Sequence, residues 1–444
     1  MNKIINTPCG EIRGTECRID GVIAFKGIRY ATAGRWEYPR LVTGWEGVYD
    51  ATKYGNCSYQ PRAFYNEEEN LKKIFYYNEF RKGESYTYDE DCLFLNIWTP
   101  ENAEPDSKLP VIVYIHGGGY TGGCGHEKHF DDPIWPTKGV IGVTVNYRLG
   151  PMGFLCLPQL KEESGHCGNY GLYDQLAAIT WVKNNISAFG GDPSAITIMG
   201  QSAGAMSVQQ LCTSPLTDGL FRSAVMSSGC GMSNMLMSTP EKVYPFWGEV
   251  MARLGCKTLE EVRKISPEKL FAAWQNAKKE VKGGAMATFP VKDGHFVTDD
   301  SKPKSIPYIV GSNSHDMAPP ILYSLGKKWG KGQSFPCYCY YFDRMLPGDN
   351  NGAWHSADLW YWFGTLPNCW RPMEQKDYDL SDKMTTYLCN FAKNGAPNGG
   401  TNPEWTPTNK TNNVLCIGES EAKMGNPSML KMIGIMLTNK AVGE

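Results

Sequence analysis

The chain has 444 residues, a net charge of −2, and 41% hydrophobic and 20% charged residues. This is the composition of a globular protein, and the near-neutral charge gives no indication of nucleic acid or an anionic membrane as a partner. Apolar runs stay shorter than the roughly 18 residues that cross a bilayer. The first residues lack the apolar core of a signal peptide, so we expect a cytoplasmic protein. We also expect one domain over residues 1–444, present as a monomer or small homo-oligomer.

Three short apolar, β-branched runs predict strands at residues 111–115, 140–147 and 196–199. Such continuous runs are typical of strands that are buried on both faces of a mainly parallel sheet. Between the second and third runs, residues 172–182 carry apolar side chains at helical spacing. Strand, helix and strand in this order predict a βαβ unit and an α/β fold.

The third predicted strand leads directly into Gly-Gln-Ser-Ala-Gly at residues 200–204. In a G-x-S-x-G motif the glycines permit a sharp strand-to-helix turn, which presents the serine at the carboxyl end of the sheet. The start of the next helix carries partial positive charge and favours a developing oxyanion there. The motif therefore indicates Ser202 as a nucleophile.

The first predicted strand ends in His-Gly-Gly-Gly-Tyr at residues 116–120. Consecutive glycines let the backbone approach a substrate closely, so that several N–H groups can point at one oxygen. We predict an oxyanion hole formed by the amides of Gly118, Gly119 and Ala203.

A serine nucleophile requires a base, and the base requires a carboxylate that holds its tautomer. In G-x-S-x-G hydrolases the acid and then the histidine follow the serine in the chain. His295, His315 and His355 are the histidines beyond Ser202. Asp316 follows a short apolar run at residues 308–310, which places it on a strand-end loop. We favour Asp316 and His355, whereas His315 could act only with a later acid or a different order.

The 15 cysteines are scattered along the chain and do not form a disulfide scaffold. Cys337 and Cys339 lack a second cysteine pair that would complete a zinc site. His126, Glu127 and His129 lack the i, i+4 spacing of a zinc-binding helix. The sequence therefore predicts neither a metal site nor an organic cofactor.

The chain resembles the type-B carboxylesterase family, which includes the cholinesterases and the bacterial para-nitrobenzyl esterases, over most of its length. The motifs that carry the resemblance are Phe25–Ala31, Glu90–Ile97, Asn146–Gly150 with Gly153–Phe154, Gly168–Gln175, Phe189–Gly204, and Asn390–Gly395 with Pro397–Asn398. The resemblance implies an α/β-hydrolase fold and hydrolysis of a small-molecule ester. It places Ser202, His355 and Asp316 at the triad positions and Gly118, Gly119 and Ala203 at the oxyanion donors.

The chain departs from the family pattern at several positions. Gln201 stands where a glutamate is usual, Arg29 replaces a proline, and Asp316 replaces the commoner glutamate. Only 38 residues separate Asp316 from His355, where relatives carry a longer, largely helical stretch. We therefore expect a shortened helical cap and an open cleft that accepts bulky esters.

Two further expectations concern disulfides and the substrate pocket. Cys57 and Cys92 lie near positions that are disulfide-linked in secreted relatives, but without an export signal we favour two thiols. Tyr120, Gln201 and Trp354 lie beside the motifs and are candidate substrate contacts.

Two alternative functions remain: a non-catalytic adhesion module, and a hydrolase of amides, carbamates or lactones.

Overall fold

The computed structural model describes residues 2–299, 302–419 and 421–438. The strands in these ranges are, in chain order, β1 (Asn2–Thr7), β2 (Gly10–Glu16), β3 (Val22–Arg29), β4 (Ala31–Thr32), β5 (Arg40–Leu41), β6 (Tyr49–Asp50), β7 (Cys57–Ser58), β8 (Tyr88–Asp89), β9 (Phe94–Pro100), β10 (Leu109–Ile115), β11 (Ile141–Val145), β12 (Gly191–Gln201), β13 (Ser223–Ser227), β14 (Tyr308–Asn313), β15 (Cys337–Phe342), β16 (Val414–Ile417) and β17 (Ala422–Gly425). The α-helices are α1 (Ile74–Phe80), α2 (Gly150–Phe154), α3 (Pro158–Ser164), α4 (Tyr170–Asn185), α5 (Ala203–Thr213), α6 (Ser233–Leu236), α7 (Pro240–Arg253), α8 (Leu259–Arg263), α9 (Pro267–Glu280), α10 (Pro319–Lys331), α11 (Leu359–Phe363), α12 (Gln375–Asn394), α13 (Thr408–Thr411) and α14 (Met429–Thr438).

One large sheet organises the molecule. Its strand order is β1-β2-β3-β9-β11-β10-β12-β13-β14-β15-β16-β17, and β6 pairs with β2. All neighbours from β11 to β16 are parallel, whereas the strands at both ends pair antiparallel. The predicted mainly parallel α/β sheet is confirmed.

The burial of the central strands explains their continuous apolar sequences. Every residue of β11 is buried, and so are the last five residues of β10. Helices cover both faces of a parallel sheet, so neither face of these strands needs polar residues. The predicted helix at 172–182 is confirmed as the longer α4, and β10 lies between the two strands that α4 connects.

The carboxyl ends of three parallel strands meet at one edge of the sheet. β10 ends just before the glycine loop, β12 just before Ser202, and β14 three residues before Asp316. The registers pair Ile115 with Gly200 and place β13 between β12 and β14. Groups that follow these strands are therefore brought together at the edge where open α/β sheets bind ligands.

The helical region beside this edge is built mainly from α7 and α9. Their apolar faces bury Trp247, Phe271 and Trp274 in a separate core cluster together with Met152. The segment between Asp316 and His355 consists of α10, β15 and connecting loops. None of the helices in the described ranges has the length and apolar character needed to span a membrane.

Candidate active site

Ser202 occupies a sharp turn between β12 and α5. Its backbone has φ 57° and ψ −126°, a conformation that is costly for a residue with a side chain. The Ser202 amide donates to the Ser227 carbonyl at 2.9 Å and so fixes the turn on the neighbouring strand. A Cβ atom at Gly204 would stand 2.1 Å from the Ile115 carbonyl oxygen, so the first turn of α5 needs glycine to lie this close to β10. The turn presents Ser202 to a cavity.

The glycine loop lies next to this turn. Gly118 and Gly119 have φ angles of 106° and 62°, and the Gly118 carbonyl accepts the Thr121 and Gly122 amides at 3.0 Å. A Cβ atom at Gly117 would stand 3.0 Å from the Ser202 Cβ atom, so loop and turn are in close contact. The structure thus brings the predicted donors Gly118 and Gly119 to the cavity that Ser202 lines.

Two further residues, Ala203 and Gln60, lie next to the glycine loop. Ala203 is the first residue of α5, where a backbone N–H has no partner within the helix. The Gln60 side chain accepts the Gly123 amide at 2.9 Å and donates to the Gly123 carbonyl at 3.0 Å. Sequence reasoning missed Gln60, because residues around it form no recognisable motif.

Asp316 and His355 form a buried pair. His355 Nδ1 donates to the Asp316 carboxylate, which also accepts the backbone amides of Asn313 at 3.2 Å and Met317 at 3.0 Å. Burial acts to raise the pKa of the Asp316 carboxyl, but the charge and hydrogen bond of His355, with the Asn313 amide, outweigh it and leave that pKa lowered. Asp316 is therefore ionised and holds the His355 tautomer that carries its proton on Nδ1 and none on Nε2.

Gln201 contacts the other nitrogen of this imidazole. Its side-chain nitrogen lies 3.1 Å from His355 Nε2, and both side chains line the cavity with Ser202. Nε2 thus accepts a hydrogen bond from a neutral amide. A neutral neighbour here does not stabilise the imidazolium.

Asp358, which sequence reasoning did not identify, lies beside the Asp316–His355 pair and shares Asn313 with it. Its carboxylate accepts hydrogen bonds from Ser227 at 2.8 Å, Tyr340 at 2.7 Å and Asn313 at 3.1 Å. Burial raises the pKa of the Asp358 carboxyl despite these donors. Burial acts to lower the pKa of His355, but Asp316 and, to a lesser extent, Asp358 raise it above its ordinary value.

The other histidines beyond Ser202 have different partners. His315 Nδ1 lies 2.9 Å from the Ser314 hydroxyl, and His295 Nδ1 lies 2.6 Å from the Tyr173 hydroxyl. Neither belongs to the lining of the cavity, whereas His355 does. The geometry therefore favours His355 as the base.

The cavity has a volume of about 430 Å³. Of the predicted site residues, Gly118, Gly119, Gln201, Ser202 and His355 line it, whereas Asp316 and Ala203 do not. The walls also contain aromatic and paired charged side chains from the segment after β7, namely Arg62, Tyr65, Glu67, Tyr76, Phe80 and Arg81. Of the three predicted substrate contacts, Gln201 lines the cavity. Tyr120 is fully buried against Phe154 and Phe289, and Trp354 is fully buried against the rings of α1.

Two of the residues considered as metal ligands, Glu127 and His129, have other partners. Glu127 forms ion pairs with Arg62 at 2.5 Å and Arg81 at 3.3 Å, and His129 stacks on Phe80 with 3.7 Å between ring centres. Cys57 and Cys92 are both free, buried thiols.

The environment of His355 predicts the pH dependence of the reaction. Because the base must be neutral, we expect kcat/KM to fall as the pH drops through the raised pKa of His355. In Gln201→Glu a carboxylate next to Nε2 stabilises the imidazolium, so this acidic limb should move to higher pH by about one unit. Profiles of kcat/KM from pH 5 to 9 measure the shift.

Gln375→Glu, which adds the same charge at an exposed helix start, is the control. An acidic limb that stays in place or moves to lower pH in Gln201→Glu contradicts the assignment of His355 as the base.

Comparisons with known proteins identify the family. The model of the carboxylesterase family matches residues 1–334 and 322–430. The chain is 31% identical to the para-nitrobenzyl esterase of Bacillus subtilis (strain 168), over 89% of this chain and 91% of that protein. It is 37% identical to the bile salt-activated lipase of Mus musculus, over 67% of this chain and 49% of the longer relative.

Solved structures show the same fold. A PNB esterase structure superposes with a TM-score of 0.82 at 26% sequence identity and covers 98% of this chain and 99% of its own. A thermophilic PNB esterase superposes with the same TM-score. The chain therefore has the α/β-hydrolase fold, belongs to the carboxylesterase family and is a carboxylic ester hydrolase.

Proposed function

We propose that the chain hydrolyses esters in two acyl-transfer steps through Ser202, His355 and Asp316. His355 Nε2 removes the Ser202 proton while the hydroxyl oxygen attacks the ester carbonyl carbon. Asp316 stabilises the imidazolium that forms. His355 then gives the proton to the leaving alcohol, and the acyl group remains on Ser202.

The second step reverses the roles of the groups. His355 takes a proton from water, the resulting hydroxide attacks the acyl carbon, and the acid leaves as Ser202 regains its proton. In both steps the amides of Gly118, Gly119 and Ala203 stabilise the oxyanion. Loss of one such donor typically lowers turnover by about 10²–10³-fold.

One observation carries this proposal: Ser202, the glycine loop and His355 all line one cavity, and Asp316 holds His355 from the buried side. Gln201 occupies His355 Nε2 in the structure, so the amide must yield to the Ser202 hydroxyl when substrate binds. Side chains whose hydrogen bonds tighten only with substrate are common in catalytic sites.

We further propose that the cleft accepts bulky, aromatic esters. The family model matches the chain in two separate pieces, residues 1–334 and 322–430. The junction of the two pieces falls between Asp316 and His355, in the segment that is shorter than the family pattern. Tyr65, Tyr76 and Phe80 line the cavity and can pack against an aromatic substrate. The para-nitrobenzyl esterase relative is named for an aromatic ester, which supports the same class here.

A panel of p-nitrophenyl esters with acyl groups from acetate to benzoate and naphthoate tests the proposal. We expect hydrolysis of the whole series, with kcat/KM for the aromatic acyl groups within about tenfold of acetate, because an open cleft adds no steric cost. The matching p-nitroanilides measure amide hydrolysis. Acetate turnover hundreds of times more efficient than that of every bulky ester contradicts the open cleft, and a protein that cleaves anilides but no ester contradicts the proposed substrate class.

A further inference from the structure

A cluster of metal-ligating side chains lies behind the glycine loop, outside the hydrolytic site. Cys57 is in β7, whereas Cys124 and His126 follow the loop glycines Gly122 and Gly123. All three are buried, and their ligand atoms lie within 4.8 Å of one another. Two thiols and one imidazole are the ligands that zinc prefers in proteins.

The separation of these atoms suits a tetrahedral ion. Cys57 Sγ lies 3.5 Å from His126 Nε2. A zinc ion with Zn–S of about 2.3 Å and Zn–N of about 2.0–2.1 Å, at a tetrahedral angle, separates sulfur from nitrogen by about 3.5 Å. The His126 ring is also held in place, because it stacks on Tyr54 with 4.5 Å between ring centres and 9° between planes.

The charges around the cluster are compatible with a bound cation. Arg62 Nη2 lies 3.8 Å from Cys124 Sγ, a position from which a guanidinium can donate to a metal-bound thiolate. The charge of Arg62 is balanced by Glu127, with which it forms an ion pair at 2.5 Å. Two thiolates neutralise a divalent ion, so the occupied site adds no net charge to the interior.

We propose that Cys57, Cys124 and His126 bind one zinc ion, with the fourth coordination position taken by water. Binding converts two thiols to thiolates and releases two protons. The ion links β7 to the loop that follows the glycines, beside the Gln60 hydrogen bonds to Gly123. Its role is to hold this loop, and the hydrolytic reaction takes place without it.

Cobalt(II) is a suitable probe, because thiolate ligation gives it an intense charge-transfer absorption that zinc lacks. The full chain, reduced and freed of metal, is titrated with Co²⁺. We expect one Co²⁺ per chain, absorption typical of tetrahedral thiolate ligation, and displacement of cobalt by Zn²⁺. Cys57→Ser and Cys124→Ser should each weaken binding about 100-fold or more. His126→Gln should weaken binding but retain part of the thiolate absorption.

Cys156→Ser and Cys167→Ser are matched controls, since these two buried thiols lie 3.2 Å apart in another part of the fold. They should bind Co²⁺ as the unmodified chain does. Zn²⁺ should raise the unfolding temperature of the unmodified chain and of both controls, but not that of Cys57→Ser. Absence of Co²⁺ uptake by the reduced chain, or unchanged uptake in both Cys57→Ser and Cys124→Ser, overturns the proposal. A disulfide between Cys57 and Cys124 also overturns the proposal if the chain still fails to bind Co²⁺ after that disulfide is reduced.

Discussion

Replacing Ser202 by alanine should lower kcat/KM for p-nitrophenyl esters by about 10⁴-fold or more. The substitution removes the oxygen that forms the acyl intermediate, whereas the cavity, the oxyanion donors and the Asp316–His355 pair remain. A residual acceleration of about 10³–10⁴-fold over water is expected from these groups alone. Initial rates over a range of substrate concentrations measure the loss, which should lie mainly in kcat.

Ser194→Ala is the control for this substitution. Ser194 is exposed near the amino-terminal end of β12, away from the turn, and its hydroxyl donates to Asp192 at 2.6 Å. We expect activity within about twofold of the unmodified chain. Equal rates for Ser202→Ala and Ser194→Ala would remove Ser202 from the mechanism.

Asp316→Asn should lower kcat by about 10³–10⁴-fold with little change in the fold. Asparagine keeps the size of the side chain, but its amide can donate to His355 Nδ1 and thereby favour the tautomer with the proton on Nε2. That tautomer cannot accept the Ser202 proton. The loss of the negative charge also lowers the pKa of His355, so the acidic limb of the residual activity should move to lower pH.

Asp343→Asn provides the comparison for Asp316→Asn. Asp343 follows β15, near the same edge of the sheet, and pairs with Lys431 at 2.7 Å on the surface. Its substitution should leave both kcat and the pH profile almost unchanged. An Asp316→Asn variant with near-normal kcat would show that His355 does not depend on this carboxylate.

The sequence predicts the central architecture because local patterns encode it. Strands buried on both faces require apolar runs, and the turn at Ser202 requires small residues at fixed spacing, so β10, β12 and Gly204 can be recognised without a structure. The same holds for the loop of Gly118 and Gly119. These elements are short and continuous in the chain.

Features that depend on distant contacts could not be predicted in this way. Asp358 is set apart by its hydrogen bonds with Ser227, Tyr340 and Asn313, which three different strands bring to it. Trp354 is adjacent to His355 in sequence, yet the direction of its side chain buries it against α1 instead of exposing it to the cavity.

The cysteine cluster illustrates the same limit. Cys57 and His126 are 69 positions apart, and their spacing matches no local metal-binding pattern. The resemblance to secreted relatives directs attention to Cys57 and Cys92, whereas in the structure the ligand atoms near Cys57 belong to Cys124 and His126.

Covalent labelling with a fluorophosphonate tests the central claim most directly. The reagent transfers its phosphonyl group to an activated serine oxygen and loses fluoride, so peptide mass spectrometry identifies the residue that a nearby base activates. We expect one adduct per chain, on the peptide that contains Ser202, formed far more slowly in Asp316→Asn and absent from Ser202→Ala. An adduct on another residue, or full ester hydrolysis by a chain whose Ser202 stays unlabelled, would contradict the account.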